Sequence, residues 1–280
     1  MLTGASFYIT YWSVKGEVMK HVNVILETRG SAACLRLNRP TELNALSRDM
    51  ILELGATLER IRRDEKLRVV VLTGSGRAFC AGADLKAVQA GLSQERSKEG
   101  DFLDAVAEVF QTLRDFPKPV IAGLNGVTVA GGLELAMCCD VLIAAESAKI
   151  GDAHANFGVF PGAGGAAVLP SLIGLPNAKY LLFSGRSLPA CDWLRMGLVQ
   201  EVVADDELEA RLDAFAQSLA EKSPLVLSRM KAVANASVEI PQAEALAWEL
   251  SVLRDHLTSN DAAEGLAAFS EKRKPVFAGT

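Results

Sequence analysis

Two glycine-punctuated segments carry the residue types from which a catalytic site can be assembled. The first is Gly74-Ser-Gly-Arg-Ala-Phe-Cys-Ala-Gly-Ala-Asp84, and the second is Asn125-Gly-Val-Thr-Val-Ala-Gly-Gly-Leu-Glu-Leu-Ala136. Each follows an apolar run that reads as a strand. In the second, Gly131-Gly132 opens a stretch, LELAMCC, that reads as a buried helix. Glycine there lets backbone N–H groups approach a ligand closely, and a helix N-terminus adds partial positive charge. An oxyanion pocket can be built in this way from backbone alone. Glu134 falls in the first turn of that helix, between Leu133 and Leu135. A carboxylate so placed is either a partner for the helix terminus or a partly desolvated acid/base. The segment by itself leaves both readings open.

Other chemistries find little support. Gly162-Ala-Gly-Gly-Ala-Ala167 matches half of a dinucleotide fingerprint. Such a site needs a strand just before it and an acidic residue about 20 positions later, and this chain has Pro161 in front and no acid from Gly185 to Pro189. Ser228-Arg-Met-Lys231 fits SxxK without companion motifs and reads as a solvated helix face. There is no GxxxxGK[ST], HExxH or GxSxG, and His21, His154 and His256 are far apart. The five cysteines (Cys34, Cys80, Cys138, Cys139, Cys191) are scattered, which suggests neither a disulfide framework nor a metal site. A reducing, cytoplasmic compartment fits that usage.

The elements that must hold these turns can be read from periodicity. His21–Glu27, Ala32–Leu37, Arg68–Thr73 and Pro119–Leu124 read as strands. Ser47 is placed to cap a helix carrying Ile51, Leu54, Leu58 and Ile61. Alternation of the two types predicts an α/β architecture for residues 20–204. From 205 to 280 only helical stripes remain: Leu208, Leu212, Phe215 and Leu219, then Leu246, Leu250, Leu253 and Leu257. Residues 1–19 hold four of the chain's seventeen aromatics and look compositionally foreign. They read as a poorly ordered or non-native extension, with Met19 an alternative start.

The chain has 280 residues, half of them hydrophobic and 22% charged, with a formal net charge of −5. That is too apolar for disorder and too mildly acidic for a general nucleic-acid binder. The longest uncharged piece of the most apolar stretch, Val120 to Leu133, is shorter than the ~18 residues a membrane span needs.

Taken together, the two turns resemble the crotonase (enoyl-CoA hydratase/isomerase) family. Further matches are Leu37-Asn-Arg-Pro40 with Asn44-Ala-Leu46, Pro119-Val-Ile-Ala-Gly-Leu-Asn-Gly126, Phe160-Pro-Gly-Ala-Gly-Gly165 and Phe269-Ser-Glu-Lys-Arg-Lys-Pro275. They run in family order over roughly residues 20–277. The resemblance implies a spiral of repeated ββα units and a C-terminal helical region that trimerises, as a homotrimer or a dimer of trimers. It implies an acyl-CoA substrate, with coenzyme A entering as part of that substrate and no permanently bound cofactor or metal. The N–H groups of Ala83 and Gly131 would polarise the thioester carbonyl, and Glu134 would serve as acid/base. Ala81, Asp84 and Leu85 would line the coenzyme A path, and Phe269 and Lys272 would reach coenzyme A from a neighbouring subunit. The Val88 to Asp104 stretch would shape the acyl pocket.

One departure accompanies these matches. The family's hydratases use a second glutamate in a Phe-Gly-x-Pro-Glu context, where this chain reads Ile150-Gly-Asp-Ala-His154. An unperturbed imidazole, with a pKa of about 6.5, can act as a base near neutrality. Hydration by Glu134 alone, with His154 or with Asp152 therefore stays open. So do thioester hydrolysis or another enolate conversion using His154, and acyl-CoA binding without catalysis.

Overall fold

The apolar runs become strands of two sheets, and the chain passes back and forth between them. The computed structural model describes residues 22–85, 89 and 101–280. Residues 1–19 and most of the Val88 to Asp104 stretch lie outside the described residues. β1 (Val24–Arg29) and β2 (Ala32–Leu37) form an antiparallel hairpin. Next to β2 lie, all parallel, β3 (Val69–Gly74), β5 (Val120–Leu124), β7 (Val141–Ala145) and β10 (Glu201–Val203), giving the order β1-β2-β3-β5-β7-β10. A smaller sheet has the order β4 (Ala78–Cys80), β6 (Val127–Val129), β8 (Lys149–Gly151) and β9 (Ser187–Pro189). Three successive strand pairs, β3/β4, β5/β6 and β7/β8, each give their first strand to the large sheet and their second to the small one. The result is a spiral of ββα turns. β3 and β5 are buried along their whole length, and they read as continuous apolar runs because both faces are covered.

Helices cover the large sheet on both faces. Ser47 Oγ accepts the Met50 N–H at 3.2 Å and starts the Arg48–Arg63 helix, which buries Met50, Ile51, Leu54, Leu58 and Ile61. On the opposite face, the Leu208–Ala220 helix lays Leu208, Leu212, Ala216 and Ala220 against Ala32, Cys34, Val69, Val71, Ile121 and Ile143. Gly123 permits this approach, since a Cβ there would lie 2.4 Å from Leu212 Cδ1. The chain then continues through the helices Pro224–Ser237, Gln242–His256 and Asn260–Glu271. The Leu246, Leu250, Leu253 and Leu257 stripe stays 46–58% exposed within one chain. Among the described residues no helix is long and apolar enough to cross a membrane.

The expectation of a solvated face at Ser228–Lys231 is corrected at Lys231. Its side chain is 10% exposed, and Nζ sits 2.8 Å from Asp140 Oδ2, which also accepts the Val120 N–H at 2.7 Å. The cation ties the Pro224–Ser237 helix to the start of β5, a pairing across 91 residues that local spacing does not encode. Lys231→Met is expected to cost about 1–3 kcal/mol, because Asp140 is left without its cation. Urea melts at several pH values check this. Burial pushes the Asp140 carboxyl up despite Lys231 and the Val120 N–H. The deficit should therefore narrow as acid neutralises Asp140, and a deficit unchanged with pH would contradict the assignment.

Candidate active site

The first turn is held by two asparagines. Asn44 is fully buried with φ 56°, a left-handed conformation that asparagine tolerates. Its Oδ1 accepts the Arg39 N–H at 2.9 Å, and its Nδ2 donates to Ser75 O and Ala78 O at 3.0 and 2.7 Å. Asn125 Oδ1 accepts the Gly74 N–H at 3.0 Å while Nδ2 donates to Gly76 O at 2.9 Å. These bonds fix the loop between β3 and β4. The chain then continues through Ala81 N–H to Leu43 O and Asp84 N–H to Leu46 O.

The second turn presses against the first. Gly82 has φ 96°, and a Cβ on it would lie 2.9 Å from Ala130 Cβ and 3.0 Å from Gly131 N. A Cβ on Gly131 would lie 3.3 Å from Ala83 N. Ala130 has φ 51° and ψ −124°, strain on the order of 1–3 kcal/mol, and it is held by its N–H to Gly151 O at 3.1 Å. The turn and loop hydrogen bonds here use the N–H groups of Ala81, Asp84, Ala130 and Glu134. Among the described residues those of Ala83 and Gly131 donate in none of them. The structure thus brings close together the backbone nitrogens of Ala83 and Gly131, the two positions to which the family resemblance pointed.

Glu134 lies in the Gly131–Ala136 helix, all of whose residues are buried, and is itself 4% exposed. Its Oε1 accepts the N–H groups of Ala163 and Gly165 at 2.8 and 2.9 Å. The Pro161–Gly165 turn that imitated a dinucleotide loop therefore grips this carboxylate. His154 faces Asp152, with Nδ1 2.9 Å from Oδ2. Burial alone would lower the imidazole's pKa. The Asp152 hydrogen bond and the charges of Asp152 and Glu134 outweigh that and hold it above the ordinary value.

Of the expected coenzyme A residues, Ala81 and Asp84 are partly buried beside Ala83 and Leu85 is 59% exposed. Asp84 Oδ2 pairs with Arg39 Nη2 at 3.0 Å, an ion pair that the sequence reading missed. Phe269 is 86% exposed near the end of the Asn260–Glu271 helix, and Lys272 caps it at φ 54°. Within one chain both remain on the surface. Burial pushes the thiols of Cys80 and Cys138 up to about 12, which leaves a negligible thiolate fraction at neutral pH. Among the described residues no group of three His, Cys, Asp or Glu is placed to hold a metal ion.

Residues 27–280 match the family model described as enoyl-CoA hydratase/isomerase. The chain is 37% identical over 260 residues to a crotonyl-CoA hydratase of Syntrophomonas wolfei, covering 92% of this chain and 99% of the relative. It is 35% identical over 253 residues to a short-chain-enoyl-CoA hydratase of Clostridium acetobutylicum, covering 90% and 96%. Among solved structures, an enoyl-CoA hydratase from Bacillus anthracis superposes with a TM-score of 0.87 at 34% identity, covering 92% of this chain and all of the other. One from Mycobacterium smegmatis superposes at 0.84 with 31% identity, covering 91% and 99%.

Proposed function

Because the chain belongs to the enoyl-CoA hydratase/isomerase (crotonase) family, we propose that it binds an enoyl-CoA thioester and adds water across, or shifts, its double bond. The observation that carries this reading is the close approach of the Ala83 and Gly131 backbone nitrogens, neither used in the surrounding turn hydrogen bonds, at the start of the helix that carries buried Glu134. A thioester carbonyl oxygen seated on both donors gains charge as the β-carbon is attacked, and preorganised N–H groups stabilise that charge without reorganising. Removing one such donor costs about 3–4 kcal/mol in comparable holes. Glu134, three residues along the helix from Gly131, takes the water proton. His154 stands ready for the second proton transfer that hydration requires.

In the same reading, Ala81, Asp84 and Leu85 line the coenzyme A path, with Arg39 neutralising Asp84 there. Phe269 and Lys272 meet coenzyme A held by a neighbouring copy. Residues 20–204 form the acyl-CoA-binding core, and residues 205–280 the helical region whose exposed leucines pack in a homotrimer or a dimer of trimers. The compartment is the cytoplasm, and coenzyme A enters only with the substrate.

A second reading is favoured by the Asp152–His154 pair, which suits activation of water toward the thioester carbonyl itself. One panel separates the two. Crotonyl-CoA, longer 2- and 3-enoyl-CoAs and saturated acyl-CoAs are incubated with the protein, and products are followed by mass spectrometry. The expected result is a gain of water, or an isomerised double bond, on the enoyl substrates with the thioester intact. Release of free coenzyme A from saturated substrates would establish hydrolysis instead. Tight binding without turnover would leave a binding protein.

A further inference from the structure

Asp152 is a carboxylate that the fold buries, 1% exposed, and both of its oxygens face His154. Oδ1 accepts the His154 backbone N–H at 3.3 Å, and Oδ2 meets the ring Nδ1 at 2.9 Å. With the carboxylate as acceptor in that contact, the hydrogen is assigned to Nδ1. Nε2 is then the ring atom that exchanges protons with whatever enters the site. Ala153, left-handed at φ 62°, makes the tight turn that brings residues two apart into contact.

Glu134 completes the cluster from its own helix. The point where a Cβ on Gly165 would sit is 2.8 Å from Asp152 Oδ2 and 3.3 Å from Glu134 Oε1. Two carboxylates thus lie around one bare glycine, with a single imidazole beside them. Other elements packed nearby bring Lys179 and Tyr180 on the Leu175–Ser184 helix, Arg186 bound to Tyr180, and Arg114, whose Nη2 is held by Ala163 O. The groups that act on the imidazole are Asp152 and Glu134.

We propose that Asp152 is a positioning residue: it anchors the His154 ring through Nδ1–H, so that Nε2 passes the proton to the α-carbon in place of a second glutamate. This rests on the enoyl-CoA hydration reading above. The water oxygen bonds to the β-carbon as the double-bond pair moves toward the thioester, whose carbonyl oxygen becomes the enolate oxygen held by Ala83 and Gly131. Glu134 accepts the water proton. As the enolate collapses, the α-carbon takes the proton from Nε2, and the proton on Glu134 is returned to His154 through solvent. The net change is addition of one water.

The test is the pH dependence of kcat for crotonyl-CoA hydration, with wild type, Asp152→Asn and Asp152→Glu compared. The acid form of His154 is required, so activity falls as pH rises through the raised imidazole pKa. Without the Asp152 charge that alkaline limb should move to lower pH by about 1–3 units. KM should stay nearly constant, and Asp152→Glu should recover part of the shift. Imidazole titration by 15N NMR reads the same displacement without substrate. The chain has only three histidines, and His154→Gln assigns the signal.

An alkaline limb that stays in place in Asp152→Asn overturns the inference, including the case where the NMR titration does move. Should Asp152→Asn fail to fold, Asp152→Glu carries the test, in which an alkaline limb displaced from wild type supports the inference and an unmoved limb overturns it. A wild type that binds enoyl-CoA without turning it over sinks the hydration reading itself. An active wild type with an unmoved limb sinks only this inference.

Discussion

Glu134→Gln is expected to lower kcat for an enoyl-CoA by about 10²–10⁴-fold while leaving KM and the melting temperature close to wild type. The magnitude is that of losing a positioned general acid–base. The structure explains why the fold should survive. Glu134 Oε1 serves as acceptor for the Ala163 and Gly165 N–H groups, and an amide oxygen can accept the same two bonds. What glutamine cannot do is carry the water proton. Glu134→Ala provides the contrast. It orphans two backbone donors in a buried site, at about 1–3 kcal/mol each, so it should lose both activity and stability. Steady-state kinetics and thermal melts on the two variants separate chemistry from support. Undiminished turnover in Glu134→Gln would remove the carboxylate from the mechanism.

The parts of this site that could be seen in advance are those written in local spacing. Ser47 before an i, i+3, i+4 apolar stripe announced its helix, and that hydroxyl does cap it. The Gly131-Gly132 pair announced a close backbone approach at a strand-to-helix turn, and a Cβ on Gly132 would indeed lie 2.0 Å from Cys80 O, whereas Ala83 was named only by the family resemblance. The missing parts depend on contacts between distant positions. Arg39 reaches Asp84 across 45 residues, and Lys231 reaches Asp140 across 91. Neither pair lies on a common helix face where spacing would reveal it. The Leu208–Leu219 stripe was legible as a helix, but its partner, the face of the large sheet, is named only by packing. Asp152 and His154 are two residues apart, and nothing in that spacing fixes a hydrogen bond. The left-handed turn at Ala153 does so.

Gly132→Ala is the substitution expected to damage fold and chemistry together. A Cβ at Gly132 would lie 2.0 Å from Cys80 O, 2.7 Å from Cys80 C and 3.0 Å from Cys80 Cβ. The obstacle is backbone of the small sheet and cannot rotate out of the way. Overpacking of a tight interior typically costs about 1–3 kcal/mol, and a clash with backbone belongs at or above the top of that range. At this chain size each kcal/mol is worth about 2–4 °C in Tm. The chemical consequence follows from where the strain must go. Cys80 is three residues before Ala83 and Gly132 is one after Gly131, so relieving the contact separates the two N–H groups. Donor loss in an oxyanion hole costs about 10²–10³-fold in kcat, and a misplaced donor approaches that loss. Gly162→Ala is the stability control, because a Cβ there meets nothing within 4 Å and the backbone is not left-handed, so it should melt like wild type. If Gly132→Ala also melts like wild type and keeps its turnover, the close approach of the two glycine turns does not set the donor geometry.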